Sequence, residues 1–484
     1  MKLPDLSAAR AAYQGQLVAD LRAAHGRLRA RGVACPRLLG YLPTGGGKTH
    51  VFVALCQGAL RCGGRPMLLA HREELVLQAA GKLRGHGLRV GVVMADHPTD
   101  DGAPVLVCSV QTLTARGYAP DGVTHVFPDE GHHMRAATWR ALLGAYGGGL
   151  RAVVALTATP ACGDGGGLGD VFDELVLGPS VARLVELGAL SPILTLRPPH
   201  ASATFARDPL ELVLLHRGEP TVVFCESVEE SRGLVARAQA AGVAICHVDG
   251  STRDRSALLA GLGSTYTAVS NADVLTEGWD WPEATVCVLA RRCGSVVSLL
   301  QRAGRVMRHA PGKGTARLYD LCGVTHDLGC PDEERDWHLG EGSGAPRARV
   351  ALTTCRKCFA AYPPSPTCPA VLMDGTVCGY RNPPPKPRRV KFAALEPAVK
   401  EAIFDRRDPV AWLARTMVQA RERGWKRGAV ERRFEGWAKR RPKEAEIALA
   451  RERADGAPLA AGTLAALAWL MGRAPQGSDK CLGY

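Results

Sequence analysis

The stretch LPTGGGKTH, residues 42–50, sets three consecutive glycines, Gly45, Gly46 and Gly47, directly before a lysine and a threonine. Glycine tolerates dihedrals that turn backbone N–H groups toward one point, and a helix starting there adds its own unpaired N–H groups, so the segment can cradle phosphate. Lys48 then offers a cation to β- and γ-phosphates, and the Thr49 hydroxyl a ligand to Mg2+. Leu42 stands where this pattern usually begins with glycine, but Thr44-Gly45 with Gly47-Lys48-Thr49 preserves the rest. A phosphate loop needs an acidic partner on a neighbouring strand, and HVFPDEGHH, residues 125–133, supplies one. Asp129 can hold Mg2+ through water, and Glu130 can polarise an attacking water as general base. Gly131 adds flexibility after Glu130.

A second kind of chemistry is carried by Cys355, Cys358, Cys368 and Cys378, in the pattern C-x2-C-x9-C-x9-C. Two thiolates two residues apart can clasp one ion from a tight turn, and a hairpin at Asp374-Gly375 would bring Cys368 to Cys378. Four free thiols are the alternative to tetrahedral Zn2+; four thiolates would leave no open position, so the ion's role would be structural. Most of the other twelve cysteines, such as Cys56, Cys108, Cys225, Cys246 and Cys287, sit alone in apolar runs as small buried thiols would.

The elements that must position these groups alternate short apolar runs with helix-like stretches, the pattern of βα units around a parallel sheet. One set of strands is expected at 38–42, 66–71, 104–110, 125–130 and 151–157, and another at 221–225, 244–248, 268–271, 285–290 and 316–321. Between them, 192–209 is rich in proline and reads as a connection. The fold class is therefore α/β: two parallel-sheet lobes over residues 1–190 and 191–345, a zinc-binding module over 346–387, and a basic α-helical segment over 388–484.

Three more segments complete the motif set: LTATP (156–160), TEGWDWP (276–282) and QRAGRVMR (301–308). With them the sequence resembles superfamily 2 DEAD/DEAH-type helicases and translocases over about residues 10–330, which implies that both lobes are RecA-like. The DEGHH box, the run from Ala272 to Lys313 and the later His326-Asp327 make it most similar to RadD-type DNA repair helicases. The resemblance implies that Lys48, Asp129, Glu130, Gln301, Arg305 and Arg308 carry ATP hydrolysis, the two arginines as fingers. It implies that Gln14, Thr44, Gly45, Gly46, Gly47, Thr49, Gly278 and Asp280 hold the nucleotide, with Gln14 at the adenine. Thr49 and Asp129 would hold Mg2+, Thr157 and Thr159 would link the nucleotide state to nucleic-acid grip, and His71, Arg72, Gln111 and Thr112 would touch the nucleic-acid backbone.

Composition bounds the partners. Of 484 residues, 46% are hydrophobic and 22% charged, which suits folded domains. The net charge is +14, yet residues 1–380 carry only +3 and residues 381–443 carry +12. The excess sits where Trp425, Phe434 and Trp437 interleave with Arg433 and its neighbours, so this segment can stack bases and neutralise phosphates, or can be a helical hairpin with aromatics packed inward. No apolar run is long enough to cross a membrane, and no secretory leader is seen. The expectation is a cytoplasmic ATP-dependent motor on single-stranded, branched or duplex DNA, in repair, recombination or replication. The alternatives are an RNA helicase, or the ATPase motor of a restriction, phage-defence or mobile-element complex.

Overall fold

The computed structural model describes residues 6–95, 97–198, 208–272, 274–276, 279–347 and 352–382, and beyond them Leu413, Thr416, Met417, Glu446, Ile447 and Ala450. Residues 1–383 form one compact unit and residues 384–484 a second. In the second unit the six described residues are helical. The basic segment, with Trp425, Arg433 and Trp437, lies outside the described residues, as does Gly278.

The first lobe opens with helix α1 (Leu6–Ala30), whose Tyr13, Leu17, Leu21, Ala24 and Leu28 are buried at helical spacing. It continues through β1 (Arg37–Tyr41), α2 (Lys48–Arg61), β2 (Pro66–Ala70), α3 (Glu73–Gly85), β3 (Val90–Val93), β4 (Val105–Ser109), α4 (Val110–Arg116), β5 (His125–Pro128), α5 (Ala137–Gly144), β6 (Ala152–Thr157) and β7 (Glu174–Leu177). The sheet runs β3-β4-β2-β5-β6-β1-β7, every pair parallel. Runs such as PMLLA in β2 are buried throughout, as expected of strands covered by helices on both faces.

After α6 (Val181–Glu186) the second lobe comprises β8 (Ile193–Leu196), α7 (Pro209–Leu215), β9 (Thr221–Cys225), α8 (Val228–Ala240), β10 (Ile245–Val248), α9 (Arg255–Ala260), β11 (Ala268–Asn271), β12 (Val286–Ala290), α10 (Val296–Val306), β13 (Ala316–Asp320) and α11 (Val324–Leu328). Its parallel sheet has the order β10-β11-β9-β12-β13-β8. The ten expected strands are all present with ends within a few residues. Among the described residues the two large sheets hold three more: β3, β7 and β8. The last corrects the reading of 192–209 as connection alone, since Ile193–Leu196 pairs with β13 at the sheet edge.

Residues 352–382 pack on that edge. Leu196 pairs with Ala360, and Arg197 N–H donates to Phe359 O at 3.1 Å. The buried Arg197 guanidinium donates to Thr354 Oγ1, Leu352 O and Thr325 O, stitching this small module to the lobe. Among the described residues no helix is long and apolar enough to cross a membrane.

Candidate active site and metal centre

In the first sheet β5, β6 and β1 are neighbours, so the segments leaving their C-terminal ends converge: Asp129-Glu130, Thr157–Thr159 and the glycine-rich loop. In open α/β sheets that edge is where ligands bind. Gly45 and Gly47 have φ of 84° and 91°, conformations that a side chain would strain. The loop is also enclosed. A Cβ on Gly47 would lie 2.2 Å from Gln14 Nε2, and one on Gly45 would lie 2.7 Å from Leu190 Cδ2 and 3.3 Å from Arg308 Cγ.

Lys48 and Thr49 open α2. The Lys48 ammonium lies 2.6 Å from Glu130 Oε1, both side chains nearly buried. Carboxylate and phosphate therefore compete for one cation. Glu130 itself has a left-handed backbone, φ 51° and ψ 58°, unusual for a residue with a side chain and a form of strain that concentrates at functional sites. Its N–H donates to Asp129 Oδ1 at 3.0 Å. Burial pushes the Asp129 carboxyl up to about 6, with Lys48 opposing and Glu130 adding to the shift. A divalent cation would relieve that cost, so Asp129 fits a role in holding one.

Gly131 does not act as a flexible joint. A Cβ there would lie 2.7 Å from both Ala155 Cβ and Leu39 Cδ1, so glycine is needed for close packing against β6 and β1. Beyond it, His132, which the sequence reading passed over, lies between the acidic box and Thr157. Its Nδ1 lies 3.0 Å from Thr157 Oγ1 and 3.5 Å from Glu130 Oε2. Thr157 Oγ1 in turn donates to Thr159 O and accepts from Thr159 N–H, each at 3.1 Å. The expected coupling pair is thus joined to the acidic box through one imidazole. The signal was present as the histidine of DEGH, but its meaning depends on β5 and β6 being adjacent.

Gln14 stands over the loop: its Nε2 donates to Gly46 O at 3.0 Å, beside the Tyr13 hydroxyl at 2.9 Å. A cleft of about 380 Å³ between α1 and α2 opens next to it, lined by Gln14, His50, Gln57 and Arg61 among others.

The second lobe faces this site with α10. A Cβ on Gly304 would lie 2.8 Å from Thr44 Cβ, so the absence of a side chain lets the helix reach the loop. Gln301 and Arg305 are buried. Arg305 donates to Thr276 O and to Trp279 O, and Arg308 donates to Trp279 O at 3.1 Å and pairs with Asp280. Arg305 braces Thr276 and Trp279 from within the lobe, whereas Arg308 lies against Gly45 of the glycine-rich loop.

His71, Arg72 and Gln111 come together at the ends of β2 and β4, where Gln111 Nε2 donates to His71 O. Arg72 reaches the other lobe, donating to Val274 O at 3.1 Å, and Glu74 lies 3.5 Å from Arg255. Thr112 is buried, its N–H capped by Ser109 Oγ at 3.3 Å. It is therefore not exposed beside the other three.

The four cysteines converge. All four Sγ atoms lie within 4.8 Å of one another, with Cys355–Cys378 at 3.8 Å and Cys358–Cys368 at 3.6 Å. A tetrahedron of Zn–S bonds of about 2.3 Å has edges of about 3.8 Å. The donor set therefore fits Zn2+. Lys357 and Cys358 N–H groups point at Cys355 Sγ at 3.4 and 3.5 Å, which orients that thiolate. The expected hairpin is present: Val371 pairs with Val377, Gly375 has φ 81°, and Cys378 N–H donates to Ala370 O. The lone cysteines Cys56, Cys108, Cys225, Cys246 and Cys287 are buried thiols, as expected.

Residues 11–162 match the family described as type III restriction enzyme, res subunit, and residues 207–310 match the helicase conserved C-terminal domain. A 51.5 kDa protein of a Lactococcus phage is 28% identical over 350 residues, which cover 66% of this chain and 74% of the phage protein. A putative ATP-dependent helicase IRC3 of Saccharomyces cerevisiae is 25% identical over 330 residues, 59% of this chain but 48% of the yeast protein. The fragment structure of a putative HsdR subunit of a type I restriction enzyme from Vibrio vulnificus shares the fold, with a TM-score of 0.50, 18% identity, and coverage of 66% of this chain and 65% of that one.

Proposed function

Taking as premise that the chain is a superfamily 2 helicase-type ATPase, we propose that it is a DNA motor of the restriction, phage-defence or mobile-element kind, coupling ATP hydrolysis to movement on DNA. The observation that carries this reading is the match of residues 11–162, from the first turns of Gln14's helix to just past the Thr157–Thr159 segment, to the restriction res subunit family. The likeness to a phage protein supports the same side. A RadD-type role in chromosomal repair draws less support from these relatives. The domain division is proposed as 1–190, 191–345, 346–387 and 388–484.

In this reading ATP enters between the lobes. Lys48 leaves Glu130 for the β- and γ-phosphates, which frees the carboxylate to take a proton from water as the water oxygen attacks the γ-phosphorus and ADP departs. Asp129 and Thr49 would hold Mg2+, which would supply positive charge against the phosphates. Arg308, and Arg305 behind it, would stabilise transition-state charge only with the lobes together, so hydrolysis and lobe motion are coupled. His132 would pass the state of Glu130 to Thr157, while His71, Arg72 and Gln111 grip the nucleic-acid backbone. Zn2+ on the four cysteines would fasten the module at β8.

ATP turnover measured with equal nucleotide concentrations of duplex DNA, single-stranded DNA and RNA tests the proposal. We expect stimulation by DNA and turnover near the unstimulated rate with RNA. Stimulation by RNA alone would replace the DNA motor with an RNA helicase.

A further inference from the structure

We infer that Lys313, given no role above, is a positioning residue for ATP hydrolysis, clasping the arginine at the phosphate loop to the Trp279–Pro282 segment. This deepens the preceding reading and rests on Arg308 acting at the nucleotide.

The segment His309–Lys313 reads HAPGK, and its local chemistry turns the chain back. Proline at the second and glycine at the third position of a four-residue turn favour a reversal in which the third residue has positive φ. Gly312 has φ 74°, and Lys313 N–H donates to Ala310 O at 3.1 Å. The turn carries the Lys313 side chain back beneath the end of α10. There its ammonium donates to Arg308 O at 2.8 Å and to Pro282 O at 2.7 Å.

Those two carbonyls belong to the segments that Arg308 joins from the other side, through Trp279 O and Asp280. Main chain and side chain of Arg308 are thus tied to the same loop by independent donors. Ser191 completes the support, its N–H on Met307 O at 2.7 Å and its hydroxyl on Arg308 O at 3.3 Å. Glu283 and Arg308 are the charged groups acting on Lys313, and Lys313 with Arg10 acts on His309. Burial pushes the Lys313 ammonium down to about 8, so the residue gives up hydration to make this clasp. A finger contributes to rate only if it is held where charge develops, and a displacement of about 1 Å costs on the order of 10²-fold.

Three full-length variants test this: Arg308→Ala, Lys313→Met and their combination, with Lys313→Gln as a milder change that keeps an amide donor. We expect Lys313→Met to lower kcat for ATP by about 10²-fold. KM for ATP and the unfolding midpoint should stay close to wild type. Lys313→Gln should fall between, and the double variant should be no slower than Arg308→Ala alone, because the clasp has nothing left to position. Undiminished kcat in Arg308→Ala would overturn the finger reading and the clasp with it. A slow Arg308→Ala beside a wild-type Lys313→Met would overturn the clasp alone. Additive losses in the double variant, or a loss confined to KM or folding, would assign Lys313 a merely structural part.

Discussion

The nucleotide cleft and the four-cysteine module are built on opposite principles. In the cleft the charged and polar groups hold partners that a nucleotide could take over: Lys48 on Glu130, Arg308 on Asp280, Gln14 on Gly46 O. In the module four sulfurs face one another, N–H groups point at Cys355, and the edges match one tetrahedral ion. A site that turns over substrate needs interactions that exchange with little loss, whereas a fastening needs a closed set. Arg197, buried and spread over three acceptors, extends the closed kind into the second lobe at β8.

The contrast can be broken from either side. The larger effect is expected on the closed side, because ligand sets of this kind contribute folding free energy directly. Cys368→Ser should reduce bound zinc from about one ion per chain to near none and lower the unfolding midpoint, read by metal analysis and thermal denaturation. Unchanged metal content would show that the thiols do not form the site. The smaller effect is expected in the cleft and concerns Asp129, whose folded pKa of about 6 stands above its ordinary 3.8. A raised acid pKa means that the folded form holds the proton longer, so this stabilisation is complete below 3.8 and is lost as pH rises through about 6. In metal-free buffer Asp129→Asn should therefore gain stability over wild type between pH 4.5 and 7.5, by on the order of 1–3 kcal/mol in urea unfolding. A pH-independent difference would mean that the carboxyl is not held against its ionisation.

The same contrast governs what was legible in the sequence. The phosphate loop, the acidic box and the cysteine knuckle were readable because neighbours in the chain do the chemistry together, and local spacing fixes their geometry. The turn at Asp374-Gly375 was readable for the same reason. The short strands β3, β7 and β8, four residues each, carry too little apolar pattern to stand out, and prolines around β8 hid it further. Gly131 looked like a hinge because nothing local reveals that Ala155 and Leu39 close over it. Arg305 and Thr112 were assigned by motif position and His132 was passed over, because the surroundings of all three depend on which strands and loops the fold makes neighbours. The net charge of residues 381–443 is legible as composition, and its arrangement lies outside the described residues.

The central claim is that the cleft hydrolyses ATP with Glu130 as the base. Steady-state ATP turnover at saturating DNA, wild type against Glu130→Gln, tests it most directly. The variant keeps the shape of the site and leaves Lys48 to bind phosphate, so nucleotide and DNA binding should persist while kcat falls by about 10²- to 10⁴-fold. Turnover equal to wild type would contradict the account.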